Sequence, residues 1–272
     1  MKKQIILLGP GSSLKSQKHK LNNFPKADLM ALQSVFPKCV STLNISPTMW
    51  TWLDPHGAVE GLKYLLENKS LLKDIKIIIP HFTTKGPEYF KRFAGTTPVN
   101  WEEYQKLLNE VSLLTDITVF DATTAKNISN CPLDNRDYWG KSIHDDEAYL
   151  RFMGSRPVFG TVRYDGDYVI GTKYHGGLES KLSSFLFPLC HYLRFNEIYC
   201  IGFDFIGPRF YEDFSSNFRS AFGQNVTQIN DEIRISLSFI KKWNEWSDLH
   251  GMKICSMALD KESSLGNILP KI

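Results

Sequence analysis

The sequence predicts an α/β fold: a mainly parallel, Rossmann-like sheet with helices on both faces, built as a single domain over residues 1–272. Three observations predict it. Short apolar runs without helical periodicity, among them Gln4-Ile5-Ile6-Leu7-Leu8, Ile75-Lys76-Ile77-Ile78-Ile79 and Glu197-Ile198-Tyr199-Cys200-Ile201, read as strands buried on both faces. Segments with apolar residues at helical spacing alternate with them. Polar or glycine-rich clusters follow several of the strands, at the carboxyl ends where open parallel sheets hold ligands.

The first strand, Gln4–Leu8, runs into Gly9-Pro10-Gly11-Ser12-Ser13-Leu14. Small residues after a buried strand read in two ways. One is a phosphate cradle, in which backbone N–H groups converge on an anion where a helix starts at Ser12 or Ser13; the other is a tight strand-to-helix turn that binds nothing. Lys15 to Lys26 is basic and polar, and Ala27 to Leu32 reads as a second strand or a short helix. Pro47 to Leu53 alternates as a strand does and stops at Asp54-Pro55-His56-Gly57. There Asp54 either caps the next helix or accepts a hydrogen bond from a ribose or sugar hydroxyl, with His56 beside it as a candidate acid or base. Val59, Leu62, Leu65 and Leu66 give Ala58 to Leu72 a helical face, and Ile75 to Ile79 is the next β-branched strand.

Pro80 to Asn100 reads as a loop, Trp101 to Leu114 as a helix and Ile117 to Phe120 as a strand. Residues 122–174 carry no helical repeat and read as an inserted mixed lobe, with a hairpin turn over Arg163 to Tyr168. After Gly176-Gly177, Leu178 to Leu193 suits a buried helix that Pro188 kinks or shortens. The strand Glu197 to Ile201 ends in Gly202-Phe203-Asp204-Phe205, and residues 206–228 form an aromatic lid loop holding Phe210, Tyr211, Phe214, Phe218 and Phe222. Asp231 to His250 reads as a long amphipathic helix and Met252 to Ser256 as the closing strand.

A net charge of +3 on 272 residues is too slight to make nucleic acid the main ligand. The five cysteines form no CxxC pair and read as buried, reduced thiols of a cytoplasmic protein. Residues 1–8 are too short for a secretory signal, and no apolar run nears the ~20 residues that span a bilayer. No two histidines have metal-ligand spacing, so no metal is expected. The glycine loop has neither the GxGxxG nor the GxxxxGK[ST] pattern, which disfavours a nicotinamide dehydrogenase and a P-loop nucleotidase. Asp204, between two phenylalanines after a buried strand, holds either a ligand or the loop itself. His175, before Gly176-Gly177, is a second candidate acid or base beside its plainer reading as a loop histidine.

The order of these motifs resembles that of bacterial lipooligosaccharide sialyltransferases, which use CMP-sialic acid. That family opens with a strand and a Gly-Asn-Gly-Pro-Ser-Leu loop, similar to Gly9 to Leu14 here; its nucleotide-contacting asparagine corresponds to Gln33, its Asn-Pro element to Asp54-Pro55, its Gly-Ile-Asp-Phe strand end to Gly202 to Phe205, and its lid tyrosine to Tyr211. The resemblance implies a GT-A-like nucleotide-binding domain with a lid. It also implies metal-independent, inverting transfer from a CMP-sugar co-substrate to a surface-glycan acceptor, with no tightly bound cofactor. Gly9, Pro10, Gly11, Ser12, Ser13, Gln33, Asp54, Gly202 and Asp204 would then surround the nucleotide, Tyr211 would meet the leaving phosphate, and His175 or His56 would serve as base. A cytoplasmic place at the inner face of the membrane, peripheral membrane association and a homotetramer also follow from the resemblance. The chain departs from the family at Pro10, at Asp54 and at Val226-Thr227-Gln228, where the family's base histidine would fall. Pterin pyrophosphokinases share the loop, so a diphosphate transferase and a non-catalytic nucleotide-binding relative stand as alternatives.

Overall fold

The computed structural model describes residues 2–53, 55–80, 83–88, 99–120, 160–164, 167–172, 182–204, 209–211, 237, 240–241, 243–245, 247–249, 251–259 and 263–272. Asp54, His81, Cys131, His175 and most of the expected mixed lobe and lid lie outside these residues. Seven parallel strands form the main sheet: β1 (Gln4–Leu8), β2 (Asp28–Leu32), β3 (Met49–Thr51), β4 (Lys76–Pro80), β5 (Ile117–Phe120), β8 (Glu197–Ile201) and β9 (Lys253–Ser256). Their order is β5-β4-β3-β2-β1-β8-β9. Between β5 and β8 in the chain, β6 (Gly160–Tyr164) and β7 (Asp167–Thr172) pair antiparallel as a separate hairpin, which is the turn expected over Arg163 to Tyr168.

This order fixes where the helices lie. From β1 the chain steps one way across the sheet through α1 (Ser13–Gln17), α2 (Val35–Leu43), α3 (Pro55–Glu67) and α4 (Trp101–Ser112). It then enters β8 on the other side of β1, through a π turn at Leu182–Leu186 and α5 (Phe187–Tyr192). Right-handed crossovers place helices on one face while the chain moves one way and on the opposite face after it reverses. The core divides accordingly. On one face Ile6, Leu8, Trp50, Ile77 and Ile201 pack with Leu14, Phe36, Leu62, Leu65 and Leu108. On the other, Ile5, Leu7, Met30, Ile198 and Cys200 pack with Phe185, Phe187, Leu189 and Trp243. Consecutive residues of one strand thus serve different cores, which is why the runs are continuously apolar.

One element settles an alternative that the sequence left open, and three differ from the expectation. The segment before Leu32 is a strand, because it pairs between β1 and β3. Helix α2 had no expected counterpart: Pro37 sits in its first turn, where a missing N–H costs no helical bond, and Asn44 in a left-handed conformation ends it. Helix α3 starts three residues early, at Pro55, which suits the first helical position, and after Glu67 the chain continues as a 3-10 turn at Lys69–Lys73. The helix expected over Leu178 to Leu193 is a π turn followed by α5, with Pro188 in the first turn of α5. Among the described residues no helix is long and apolar enough to cross a membrane.

The sheet's centre is clamped at its amino end by Glu197. Gln4 Nε2 donates to its Oε2 at 2.7 Å, the Tyr199 hydroxyl donates to the same oxygen at 2.9 Å, and the Lys2 ammonium lies 3.0 Å from Oε1. The Gln4 bond first, then the Lys2 bond, pull its carboxyl from an ordinary 4.5 down to about 2. A carboxyl depressed on folding stabilises the protein above its unfolded pKa, and that contribution is lost as pH falls through the folded value. Glu197→Gln should therefore be less stable than the parent at neutral pH, by up to about 3 kcal/mol. In urea denaturation across pH the gap should close between about 4.5 and 2, the two ends of the shift; a gap independent of pH would contradict this role.

Candidate functional site

The reversal of direction makes the β1–β8 boundary the switch point of the sheet, where the connections from two neighbouring strands leave on opposite faces and open a crevice for ligands. Both strands end there in glycine. Gly9 N donates to the Ile201 carbonyl at 2.8 Å and Gly11 N to the Gly202 carbonyl at 2.6 Å. A Cβ on Gly9 would overlap the Gly202 carbonyl, and a Cβ on Gly202, whose φ is +78°, would overlap that of Gly9. The two backbones touch because neither residue carries a side chain.

Asp204 completes this clasp. Its carboxylate is fully buried at the start of α1, accepting the Ser13 N–H at 2.8 Å on Oδ2 and the Ser13 hydroxyl on Oδ1. The Ser13 oxygen in turn accepts the Gly202 N–H at 2.9 Å. Ser12 Oγ stands 3.5 Å from Oδ2. From behind, the Ser263 hydroxyl donates to the Phe203 carbonyl at 3.2 Å and Ser264 N to the Asp204 carbonyl at 3.1 Å. Burying a carboxylate is costly without such donors, so the clasp and the charge support each other. Of the two sequence readings of Asp204, these bonds belong to the loop-holding one.

Tyr211 joins the same unit. Phe210 N donates to the Pro10 carbonyl at 2.8 Å, and Arg209 forms an antiparallel bridge with Gly11, so the chain at 209–211 runs along the glycine loop. The half-buried Tyr211 ring meets Phe210 edge-on at 4.9 Å, with the Lys38 ammonium and the Arg209 guanidinium each 5.9 Å from its centroid. Lys38 lies on α2 and pairs with Glu60 of α3 at 2.5 Å. Gln33, the next sheet-edge residue, is buried with φ +50°. Its N–H donates to the Thr51 carbonyl at 2.8 Å, and its own carbonyl accepts the Trp50 indole N–H at 2.8 Å. Its carboxamide nitrogen lies 2.7 Å from where a Cβ on Gly57 would stand, in the first turn of α3. His56, one residue earlier, is exposed.

The structure therefore brings Gly9, Pro10, Gly11, Ser12, Ser13, Gly202, Asp204 and Tyr211 into one unit, with Gln33 and His56 on the neighbouring strand and helix ends. Sequence reasoning missed Arg209 and Lys38, although Arg209 stands two residues from Tyr211; it also missed Ser263 and Ser264 as braces. Cys39, Cys190, Cys200 and Cys255 are buried thiols, and burial pushes Cys39 up to about 12. Among the described residues no group of three His, Cys, Asp or Glu side chains could hold a metal ion.

No known protein-family profile matches the chain. The O-methyltransferase sirM of Leptosphaeria maculans is 24% identical over 137 residues, which are 48% of this chain and 32% of that protein. The chain thus spans about a third of the length of the curated relative it matches. Among solved structures, the chain is similar to the monofunctional alpha-2,3-sialyltransferase Cst-I of Campylobacter jejuni, at 16% identity and a TM-score of 0.48 over 99% of this chain and 80% of that one. It is also similar to the sialyltransferase Cst-II, solved with a trisaccharide acceptor and CMP, at 14% identity and a TM-score of 0.47 over 99% and 86%.

The clasp makes a stability prediction. Ser13→Ala leaves an Asp204 oxygen and the Gly202 N–H without their shared hydroxyl and should cost about 1–3 kcal/mol in urea denaturation. Gly202→Ala adds backbone overlap and strain and should cost at least as much. Loss of less than about 0.5 kcal/mol in both, the size of an ordinary surface change, would contradict the clasp.

Proposed function

We propose that this protein is a glycosyltransferase of the sialyltransferase-like kind, which transfers a sugar with inversion from a CMP-activated donor to a surface-glycan acceptor. The observation that carries the reading is the bridge between Arg209–Tyr211 and the glycine loop. The glycine loop stands about 190–200 residues before the Gly202–Asp204 strand end and Tyr211, yet the three meet at the carboxyl ends of β1 and β8, where open parallel sheets hold ligands.

In this reading the acceptor hydroxyl oxygen bonds to the anomeric carbon of the donor from one side. The bond from that carbon to the CMP phosphate oxygen breaks on the other, and the electron pair leaves with the nucleotide. A base takes the hydroxyl proton, with His56 or His175 as the candidates, and the Tyr211 hydroxyl donates to the departing phosphate. Gln33 and Asp54 belong to the nucleotide side of the site. No metal enters the proposal. The protein acts on the cytoplasmic side of the membrane as a peripheral homo-oligomer.

CMP supplied at 100 times its dissociation constant should raise the unfolding free energy by about 2.7 kcal/mol. Tyr211→Phe should retain CMP binding and lose donor hydrolysis, read as sugar released per unit time. Stabilisation by ATP and magnesium but not by CMP would replace this reading with diphosphate transfer. Tight CMP binding without any donor hydrolysis by the parent would leave a nucleotide-binding protein.

A further inference from the structure

Resting on the peripheral placement given above, we propose that the protein lies against an anionic lipid surface through one face, the outer side of the segment from Ser13 to Lys26. Residues 1–27 hold six lysines, one histidine and no acidic residue, although the whole chain holds 29. The inner side of the segment is fixed by packing. Leu14, Leu21 and Phe24 join Tyr199, Ile201, Cys255 and Met257 in one core, with the Phe24 and Tyr199 ring centroids 4.4 Å apart. Lys20 also turns inward, where its ammonium donates to the Met257 and Ile272 carbonyls at 2.8 Å each. Lys15, Lys18, His19 and Lys26 are left on the outer side, and all four are exposed.

Elsewhere on the surface, lysines face acids: Lys2 pairs with Glu197 at 3.0 Å, Lys63 with Glu103 at 2.6 Å, and Lys38 with Glu60. Among the described residues no acid pairs with Lys15, Lys18, His19 or Lys26. Uncompensated cations on a rigid segment make a local positive field, which is strongest at low salt. A bilayer with anionic headgroups supplies the missing counter-charge, and each lysine held close to it raises binding several-fold. A nucleic acid would be held by base stacking as well as charge. Phe24, the segment's one phenylalanine, is packed on Tyr199 and offers no such platform, which favours the lipid surface. The segment leads from the carboxyl end of β1 to the amino end of β2 and packs on residues of β8 and β9. A membrane held there lies along a flank of the sheet, beside the carboxyl ends of β1 and β8.

Sedimentation of the full chain with vesicles of phosphatidylcholine alone, or of equal parts phosphatidylcholine and phosphatidylglycerol, tests this. The protein should bind the anionic vesicles and not the neutral ones, and added salt should release it. Lys15→Gln, Lys18→Gln and Lys26→Gln combined should weaken that binding about 100-fold. Lys69→Gln, Lys73→Gln and Lys76→Gln combined make an equal change of charge at exposed lysines elsewhere and should weaken it less than about 5-fold. Both variants should unfold in urea as the parent does. Unchanged vesicle binding in the first variant, or an equal fall in the two, would overturn the inference while the peripheral placement stands. No binding of the parent to either vesicle would remove both, and would leave the nucleotide reading to CMP binding in solution. Binding of single-stranded RNA through these lysines, without vesicle binding, would overturn the inference in favour of a nucleic-acid partner.

Discussion

Two glycine backbones in contact, Gly9 at the end of β1 and Gly202 at the end of β8, set the geometry on which the functional edge depends. Their approach lets Gly11 reach the Gly202 carbonyl, carries Asp204 under the first turn of α1, and fixes the Ser13 hydroxyl between the two strand ends. A larger residue at either glycine would part the strands and disturb the Ser13 bonds that hold Asp204, so close packing and charge satisfaction are linked. The contact lies at the one place in the sheet where a ligand crevice would open by topology alone. Residues 209–211 run along the glycine loop at this same place.

Strand β8 carries a carboxylate at its amino end and another just past its carboxyl end, and their surroundings separate their roles. Glu197 faces Lys2, Gln4 and Tyr199 at a partly exposed edge, where its charge ties β1 to β8 and responds to acid. Asp204 takes neutral donors from Ser13 in full burial, so its charge is held by oriented dipoles. The cations near the site, Arg209 and Lys38, stand apart from that buried carboxylate and gather around Tyr211.

Much of the fold was legible because strands buried on both faces must be continuously apolar, as β1, β4 and β8 are. Helix α2 was not, since nine residues with a proline in the first turn carry little periodic signal. The left-handed Gln33 before it gave no warning either, because that conformation is imposed by hydrogen bonds to β3 and Trp50 rather than by its own preference. In the site, glycine spacing marked a close approach without saying what approaches. An anion and a second backbone make the same demand for a missing Cβ, and only the path of β8 distinguishes them. Arg209 and Lys38 were hidden for another reason: a lone charge in a loop or on a short helix reads as a solvated side chain until the fold brings two of them to one ring.

The central claim is that the clasp is a permanent part of the fold, kept when the proposed nucleotide binds. A crystal structure of the protein with CMP measures this directly. The account predicts an unchanged Gly9–Gly202 contact and Asp204 still bonded to Ser13, with the nucleotide at the carboxyl ends of β1 and β8. A phosphate on the amides of Gly11 to Ser13 with Asp204 turned away, or a nucleotide bound at another edge of the sheet, would contradict it.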